Sequence, residues 1–128
     1  MIEINGWISI NFSTDGEVEL PSEVILEITQ AVDALTDFNQ FFKISSLNGL
    51  HFLSVGLCHN HDAGYSDLIY KLLTDICKRA PGTYGIVYIR NDEDVHDYNK
   101  FKVLKVARGK VSTEEDRLLS PCNPTIED

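Results

Sequence analysis

The sequence has no Lys or Arg among its first 42 residues, and several other signals are also absent. Its three cysteines are an odd number with no CxxC spacing, which argues against a disulfide framework and is typical of free thiols in a reducing cytoplasm. No apolar run approaches the roughly 18–20 residues that a membrane-spanning helix needs. The N-terminus lacks the positive start and unbroken apolar stretch of a signal peptide. These absences predict a cytoplasmic protein.

Motifs for phosphate binding and nucleophilic catalysis are missing as well. The sequence contains no GxSxG pattern, no Walker-type loop and no GxGxxG pattern. Carboxylates are abundant, but acid–base catalysis needs two of them in one cleft with separated pKa values, and no such pair stands out. We therefore expect no catalytic residues, no cofactor and no enzymatic activity.

The charge that is present is strongly negative and unevenly distributed. There are 11 basic and 20 acidic residues, which give a net charge of −9. Residues 1–42 carry eight acids and no base, residues 43–110 have an excess of basic residues, and residues 111–128 are again acidic. A negative protein repels phosphate backbones, so direct nucleic-acid binding is disfavoured. The same field speeds encounter with positive surfaces and favours a basic protein partner, although solubility alone would also explain it.

The length and the apolar periodicity predict one domain with helices and strands. At 128 residues with 43% hydrophobic residues, the chain can bury a core without disulfides. Alternating apolar residues predict a first strand over residues 2–12, with Trp7 on its polar face. Helical spacing predicts one helix beginning near Pro21 and another ending before Pro81. Between them, Asn48-Gly49 predicts the turn of a β-hairpin.

Two later segments, 83–90 and 101–108, predict further strands, so the element order is βαββαββ. This order predicts an α+β two-layer sandwich with a mostly antiparallel sheet of about five strands and two helices on one face. The arrangement is related to the ferredoxin-like one with an extra strand. We expect residues 1–128 to form a single domain and residues 110–128 to be an irregular tail.

Apolar side chains occupy both faces of the last two predicted strands, which indicates that the second face of the sheet is covered. We expect the tail to cross that face and to bury Trp7. The tail residues that would make this contact are Leu118, Leu119, Pro121 and Ile126.

One loop, from Cys58 to Asp62, has the residue types of a zinc site. Two histidines separated by one residue can both reach a metal, but the sequence contains no second Cys/His cluster to complete a ligand set. A small metal-binding protein or enzyme that uses His59, His61 and Asp62 is therefore the alternative hypothesis. The favoured interpretation is a loop whose polar groups cap the next helix, with no bound metal.

Two acidic segments are the candidate contacts for a basic partner. The Asp-rich segment after the fourth strand lacks the spacing and the Gly of a calcium loop. Neighbouring carboxylates repel one another unless a cation or a partner neutralises them, although a solvated loop is the alternative interpretation. The candidate residues are Asp92, Glu93, Asp94 and Asp97, with Glu114, Glu115 and Asp116 as a second patch.

Short motifs along nearly the whole chain resemble those of one known family. They are Asn5-Gly6-Trp7, Leu47-Asn48-Gly49, Ala80-Pro81-Gly82-Thr83-Tyr84-Gly85 leading into Val87-Tyr88-Ile89-Arg90, Asn91-Asp92-Glu93-Asp94, Ala107-Arg108-Gly109 and the ending that contains Ser120-Pro121-Cys122. In this combination they are similar to the Immunity protein 7 family of bacterial polymorphic toxin and contact-dependent inhibition systems.

The resemblance implies a cytoplasmic antidote that binds the C-terminal domain of a cognate toxin as a monomer in a 1:1 complex. Such toxin domains are often nucleases, RNases prominent among them. A nuclease active site is electropositive because it holds phosphates, so a chain of charge −9 can occlude it. The motif residues themselves look structural, and the resemblance does not say which residues touch the toxin. We expect the two acidic patches to do so.

Overall fold

The computed structural model describes residues 1–35 and 37–122. This part of the chain forms six strands and two α-helices, with a short 3-10 turn at Asn39–Phe41. The elements are β1 (Ile2–Ile10), α1 (Ser22–Asp33), β2 (Phe42–Leu47), β3 (Leu50–His59), α2 (Tyr65–Arg79), β4 (Tyr84–Asn91), β5 (Lys102–Ala107) and β6 (Lys110–Glu115).

The strands form one antiparallel sheet in the order β2-β3-β1-β4-β5-β6. In this order β3 lies between β1 and β2, and β1 lies between β3 and β4, so the two β–α–β units interleave. The predicted α+β class with two helices is confirmed. The predicted count of five strands is wrong, because β6 forms from residues that the sequence assigns to the start of an irregular tail.

The sixth strand has a weak sequence signature for two physical reasons. The turn that joins it to β5 places Arg108 at φ 52° and Gly109 at φ 74°, and an Arg rarely occupies the left-handed region. The strand itself is a polar edge strand, so its side chains show no apolar alternation. In the β2–β3 hairpin, by contrast, the same two positions are held by Asn48 and Gly49, at φ 56° and 77°, and that turn is predicted correctly.

One hydrophobic core lies between the sheet and the two helices. Both helices are amphipathic, and Lys78 and Arg79 in the last turn of α2 suit the negative end of the helix dipole. No helix of the described residues is long and apolar enough to cross a membrane. The buried residues that meet in this core include Ile2, Ile4, Ile8 and Ile10 from β1, Leu53, Val87, Leu104 and Val106 from other strands, and Ile28, Val32, Ile69, Leu73 and Ile76 from the helices.

The close pairing of β1 with β4 depends on two glycines of the sequence motifs. A Cβ on Gly85 would lie 2.2 Å from the carbonyl oxygen of Trp7, and one on Gly6 would lie 2.4 Å from the carbonyl oxygen of Ile86. Both contacts are with backbone atoms, which cannot rotate away as a side chain can. Glycine is therefore required at both positions for these two strands to approach as they do.

The described part of the tail does not cover Trp7, which lies on the sheet face opposite the helices. Trp7 is 48% exposed, and its ring meets that of Tyr84 edge-on with centroids 6.1 Å apart. Leu118 and Leu119 are 80% and 51% exposed. The expectation that the tail buries Trp7 is therefore wrong for the tail residues that the structure describes, while Ile126 lies outside them.

Hydrogen bonds hold the tail at the end of the sheet instead. The N–H of Cys122 donates to the carbonyl of Asn99 at 2.9 Å, and the N–H of Phe101 donates to the Ser120 hydroxyl at 2.8 Å. The tail thus follows the connection between β4 and β5 rather than crossing the sheet.

Candidate functional site

The seven candidate acids lie at one end of the sheet. One group occupies the connection between β4 and β5, and the other ends β6 and begins the tail. Because Lys102 at the start of β5 pairs with Glu115 at the end of β6, the two groups come side by side. The sequence predicts each group separately, and the β5–β6 pairing joins them.

Two adjoining pockets lie between the two groups and share Asp97, Lys100, Lys102 and Thr113, so we treat them together as one groove, the acidic groove. Its first part is lined by Asp67 and Tyr70 of α2 and by Ile89 and Leu104, which are 8% and 5% exposed and add apolar surface. Its second part continues past Phe101 to the end of β6, and both parts share Asp97 and Lys102. Five candidate acids line the groove, namely Asp94, Asp97, Glu114, Glu115 and Asp116.

The sequence analysis does not predict that α2 forms one wall of the groove. Asp67 and Tyr70 occupy exposed positions of an amphipathic helix, and nothing in that pattern separates them from ordinary solvent-facing residues. Only the packing of α2 against the end of the sheet reveals their place in the groove.

Lys102 lies inside the groove and neutralises part of its charge. Its ammonium Nζ is 3.5 Å from a carboxylate oxygen of Asp94 and 3.5 Å from one of Asp97. Asp94 also accepts hydrogen bonds from the N–H groups of His96 at 2.9 Å and Asp97 at 3.2 Å. These backbone hydrogen bonds, assisted by the charge of Lys102, hold the pKa of Asp94 below its usual range. Asp94 therefore stabilises the conformation of its loop and also contributes negative charge to the groove.

Asp116 has a structural role in addition to its charge. Its carboxylate accepts hydrogen bonds from the Ser120 hydroxyl at 2.7 Å and from the N–H groups of Leu118 and Leu119 at 2.9 and 3.0 Å. Partial burial opposes ionisation, but the hydrogen bonds outweigh it and lower the pKa of Asp116. The Ser120 hydroxyl in turn accepts from Phe101, so Asp116 connects the tail to the loop before β5.

The lowered pKa of Asp116 predicts how its replacement changes stability in acid. In an unfolded chain the pKa of an Asp side chain is about 3.9. Because the folded pKa is lower, the ionised carboxylate favours folding above that pH, and the contribution is lost as the pH falls through the folded pKa. We expect Asp116→Asn to lose less unfolding free energy than the unchanged protein between about pH 5 and about pH 2. Urea unfolding followed by circular dichroism measures this difference, and Glu115→Gln is the neighbouring control. Identical pH profiles for Asp116→Asn and the unchanged protein would contradict the role given to these hydrogen bonds.

Asp92 and Glu93 stand apart from the groove lining. The terminal ammonium of Met1 forms an ion pair with Asp92, and His61 Nδ1 lies 2.7 Å from a carboxylate oxygen of Glu93. The N–H of Asp92 also donates to the carbonyl of Met1 at 3.1 Å. These two acids therefore flank the beginning of β1, beside the acids that line the groove.

The His59–Asp62 loop does not gather its polar side chains around one point. His59 Nδ1 is 3.3 Å from the carbonyl oxygen of His61, whose own ring contacts Glu93. Asp62 accepts hydrogen bonds from the hydroxyl of Ser66 at 2.8 Å and from its N–H at 3.4 Å, in the first turn of α2. Within residues 1–35 and 37–122, no group of three or more His, Cys, Asp or Glu side chains has a geometry that could hold a metal ion.

The sequence matches the family model described as Immunity protein 7 over residues 1–128. No curated protein and no solved structure matches the chain. The matched range includes every strand of the sheet and both groups of candidate acids.

Proposed function

The chain belongs to the Immunity protein 7 family and is therefore an immunity protein against a toxin, and we propose that this toxin is a nuclease domain whose basic active site is occluded by the acidic groove. A nuclease, an RNase above all, must hold phosphates and presents a positive surface to do so. A negative protein without catalytic groups of its own can fill such a site by charge complementarity.

The observation that carries this proposal is the composition of the groove. Seven acidic residues line it, five of them candidate acids, together with Lys100, Lys102, Tyr70 and the apolar surface of Ile89 and Leu104. A Lys or Arg side chain needs a carboxylate for its charged head and apolar surface for its stem. The groove therefore suits the basic side chains with which a nuclease binds phosphate, and Asp92 and Glu93 extend the negative surface beside it.

We infer a monomer that binds one toxin domain in the cytoplasm, within a contact-dependent inhibition or polymorphic toxin system, and that makes no direct contact with nucleic acid or membrane. The chain contributes binding rather than chemistry, so inhibition is stoichiometric.

The proposal is tested by binding and protection. The toxin domain encoded beside this gene is co-purified with the chain, and RNA cleavage by that domain is assayed with increasing amounts of the chain. We expect a dissociation constant of about 10 nM or lower, typical of a tight interface. Binding should weaken as salt is raised, and cleavage should stop at one equivalent.

An unrelated basic RNase serves as the control partner and should keep its activity. Absence of binding to the neighbouring toxin domain, or cleavage that persists in the complex, would contradict the proposed function.

A further inference from the structure

A second surface, at the opposite end of the sheet, exposes apolar side chains. It comprises residues 13–27, which lead into α1 and form its first turns, and residues 47–51 at the tip of the β2–β3 hairpin. We call it the leader surface. Val18, Leu26 and Leu50 on this surface are 53%, 57% and 50% exposed.

The leader surface is concave and lies far from the acidic groove. A groove of about 250 Å³ separates the leader segment from the hairpin and is lined by Val18, Leu20 and Leu50. It lies at the end of β1 where Ile10 pairs with His51, whereas the acidic groove lies at the other end of that strand.

Most acids of the leader surface form no ion pair within the described chain. Residues 13–27 contain five acids and no Lys or Arg. Glu27 forms an ion pair with Arg79, but in the described chain the other four, Asp15, Glu17, Glu19 and Glu23, form none. Of the five candidate acids that line the acidic groove, Asp94 and Asp97 pair with Lys102 and Glu114 pairs with Lys105, whereas Glu115 and Asp116 form no ion pair in the described residues.

We propose that the leader surface is a second docking site for the same toxin domain and receives a basic, partly apolar part of its surface. The inference rests on the proposed function. A basic partner gains the full attraction of the unpaired carboxylates, because no internal ion pair has to be broken, and the exposed Val18 and Leu26 add apolar contact.

A toxin domain that contacts both surfaces has to reach from one end of the sheet to the other. The nine residues of β1 span roughly 30 Å. A standard interface of about 800 Å² on each partner is of similar width. The two surfaces therefore belong to one interface only if that interface is larger than the standard size.

The test compares two charge-neutralised pairs in binding to the catalytically inactivated toxin domain encoded beside this gene. Glu17→Gln with Glu19→Gln removes two unpaired acids that line the groove of the leader surface. Asp33→Asn with Asp37→Asn removes two exposed acids that lie outside it. We expect the first pair to weaken binding by about tenfold at low salt, through faster dissociation as well as slower association, and the second by less than about twofold.

A third variant tests the apolar part of the surface. Val18→Ser removes apolar area without changing charge, so we expect at least about threefold weaker binding with an unchanged salt dependence. Thermal unfolding establishes that each variant is as stable as the unchanged chain.

The outcomes separate this inference from the proposed function. If the unchanged chain does not bind the toxin domain, both fail. If it binds and the two charge pairs weaken binding equally, net charge alone acts. If neither pair weakens binding, the acids of the leader surface contribute nothing. In both cases the leader surface is not a docking site. If Val18→Ser binds like the unchanged chain, the leader surface only steers the partner from a distance and docking is wrong.

Discussion

Replacing Gly85 by alanine is expected to lower the unfolding free energy by about 3 kcal/mol or more, because the added methyl overlaps backbone that cannot move aside. Its Cβ would lie 2.2 Å from the carbonyl oxygen of Trp7 and 2.7 Å from the Cα of Ile8. Relief requires β4 to move away from β1 at the centre of the sheet, where Val87 and Ile8 are fully buried. Such a loss is a large fraction of the stability of an ordinary domain.

Gly56→Ala is the matched control for this substitution. Gly56 lies in β3, which also pairs with β1, and a Cβ there would have no heavy atom within 4 Å. We expect it to change stability by less than about 0.5 kcal/mol. Urea unfolding followed by circular dichroism compares the two variants, and equal stability would show that the close approach of β1 and β4 relaxes at little cost.

Neutralising the four acids of the β4–β5 connection is expected to weaken toxin binding by about 100-fold or more, roughly 3 kcal/mol. Part of this loss comes from the removed attraction. Part comes from Lys102, which loses both of its carboxylate partners and then faces a basic protein uncompensated. The variant combines Asp92→Asn, Glu93→Gln, Asp94→Asn and Asp97→Asn.

Amide replacements preserve the loop because an Asn oxygen can still accept the hydrogen bonds that the His96 and Asp97 N–H groups donate to Asp94. Adding Lys102→Met to the four changes separates the two contributions, since it should recover part of the affinity by removing the freed cation. Titration calorimetry at several salt concentrations measures both variants. Unchanged affinity and an unchanged salt dependence in the four-acid variant would show that this connection does not contact the toxin.

The elements that follow from local chemistry are predictable from the sequence, and those that depend on distant contacts are not. The two helices follow from apolar spacing, and the first hairpin follows from Asn48-Gly49. The sixth strand is missed because Arg108-Gly109 is an uncommon turn. The path of the tail is missed because it depends on Asp116 and Ser120, whose hydrogen bonds to one another and to Phe101 leave no periodic signal.

The candidate site is predictable in its residue types but not in its shape. Acidic side chains stand out in composition, so both groups can be identified from sequence. The pairing of β5 with β6 brings the two groups together and places Lys102 between them. The packing of α2 adds Asp67 and Tyr70 as one wall of the groove. The sequence also does not show which acids form ion pairs within the chain. Asp97 pairs with Lys102, whereas Glu19 forms no ion pair in the described residues.

Lys102 also affects the selectivity with which the acidic groove would bind its partners. The cytoplasm proposed for this chain holds many basic surfaces, and an empty pocket of carboxylates would attract them indiscriminately. The ammonium of Lys102 lies 3.5 Å from a carboxylate oxygen of Asp94 and from one of Asp97. Because it belongs to the same chain, it competes at high effective concentration with the cations of any partner. A single lysine of another protein would gain little binding free energy by displacing Lys102 from these carboxylates. A rigid array of several positive charges would gain enough to displace it. In the proposed complex, the internal ion pairs would therefore lower the affinity somewhat and increase the discrimination between partners.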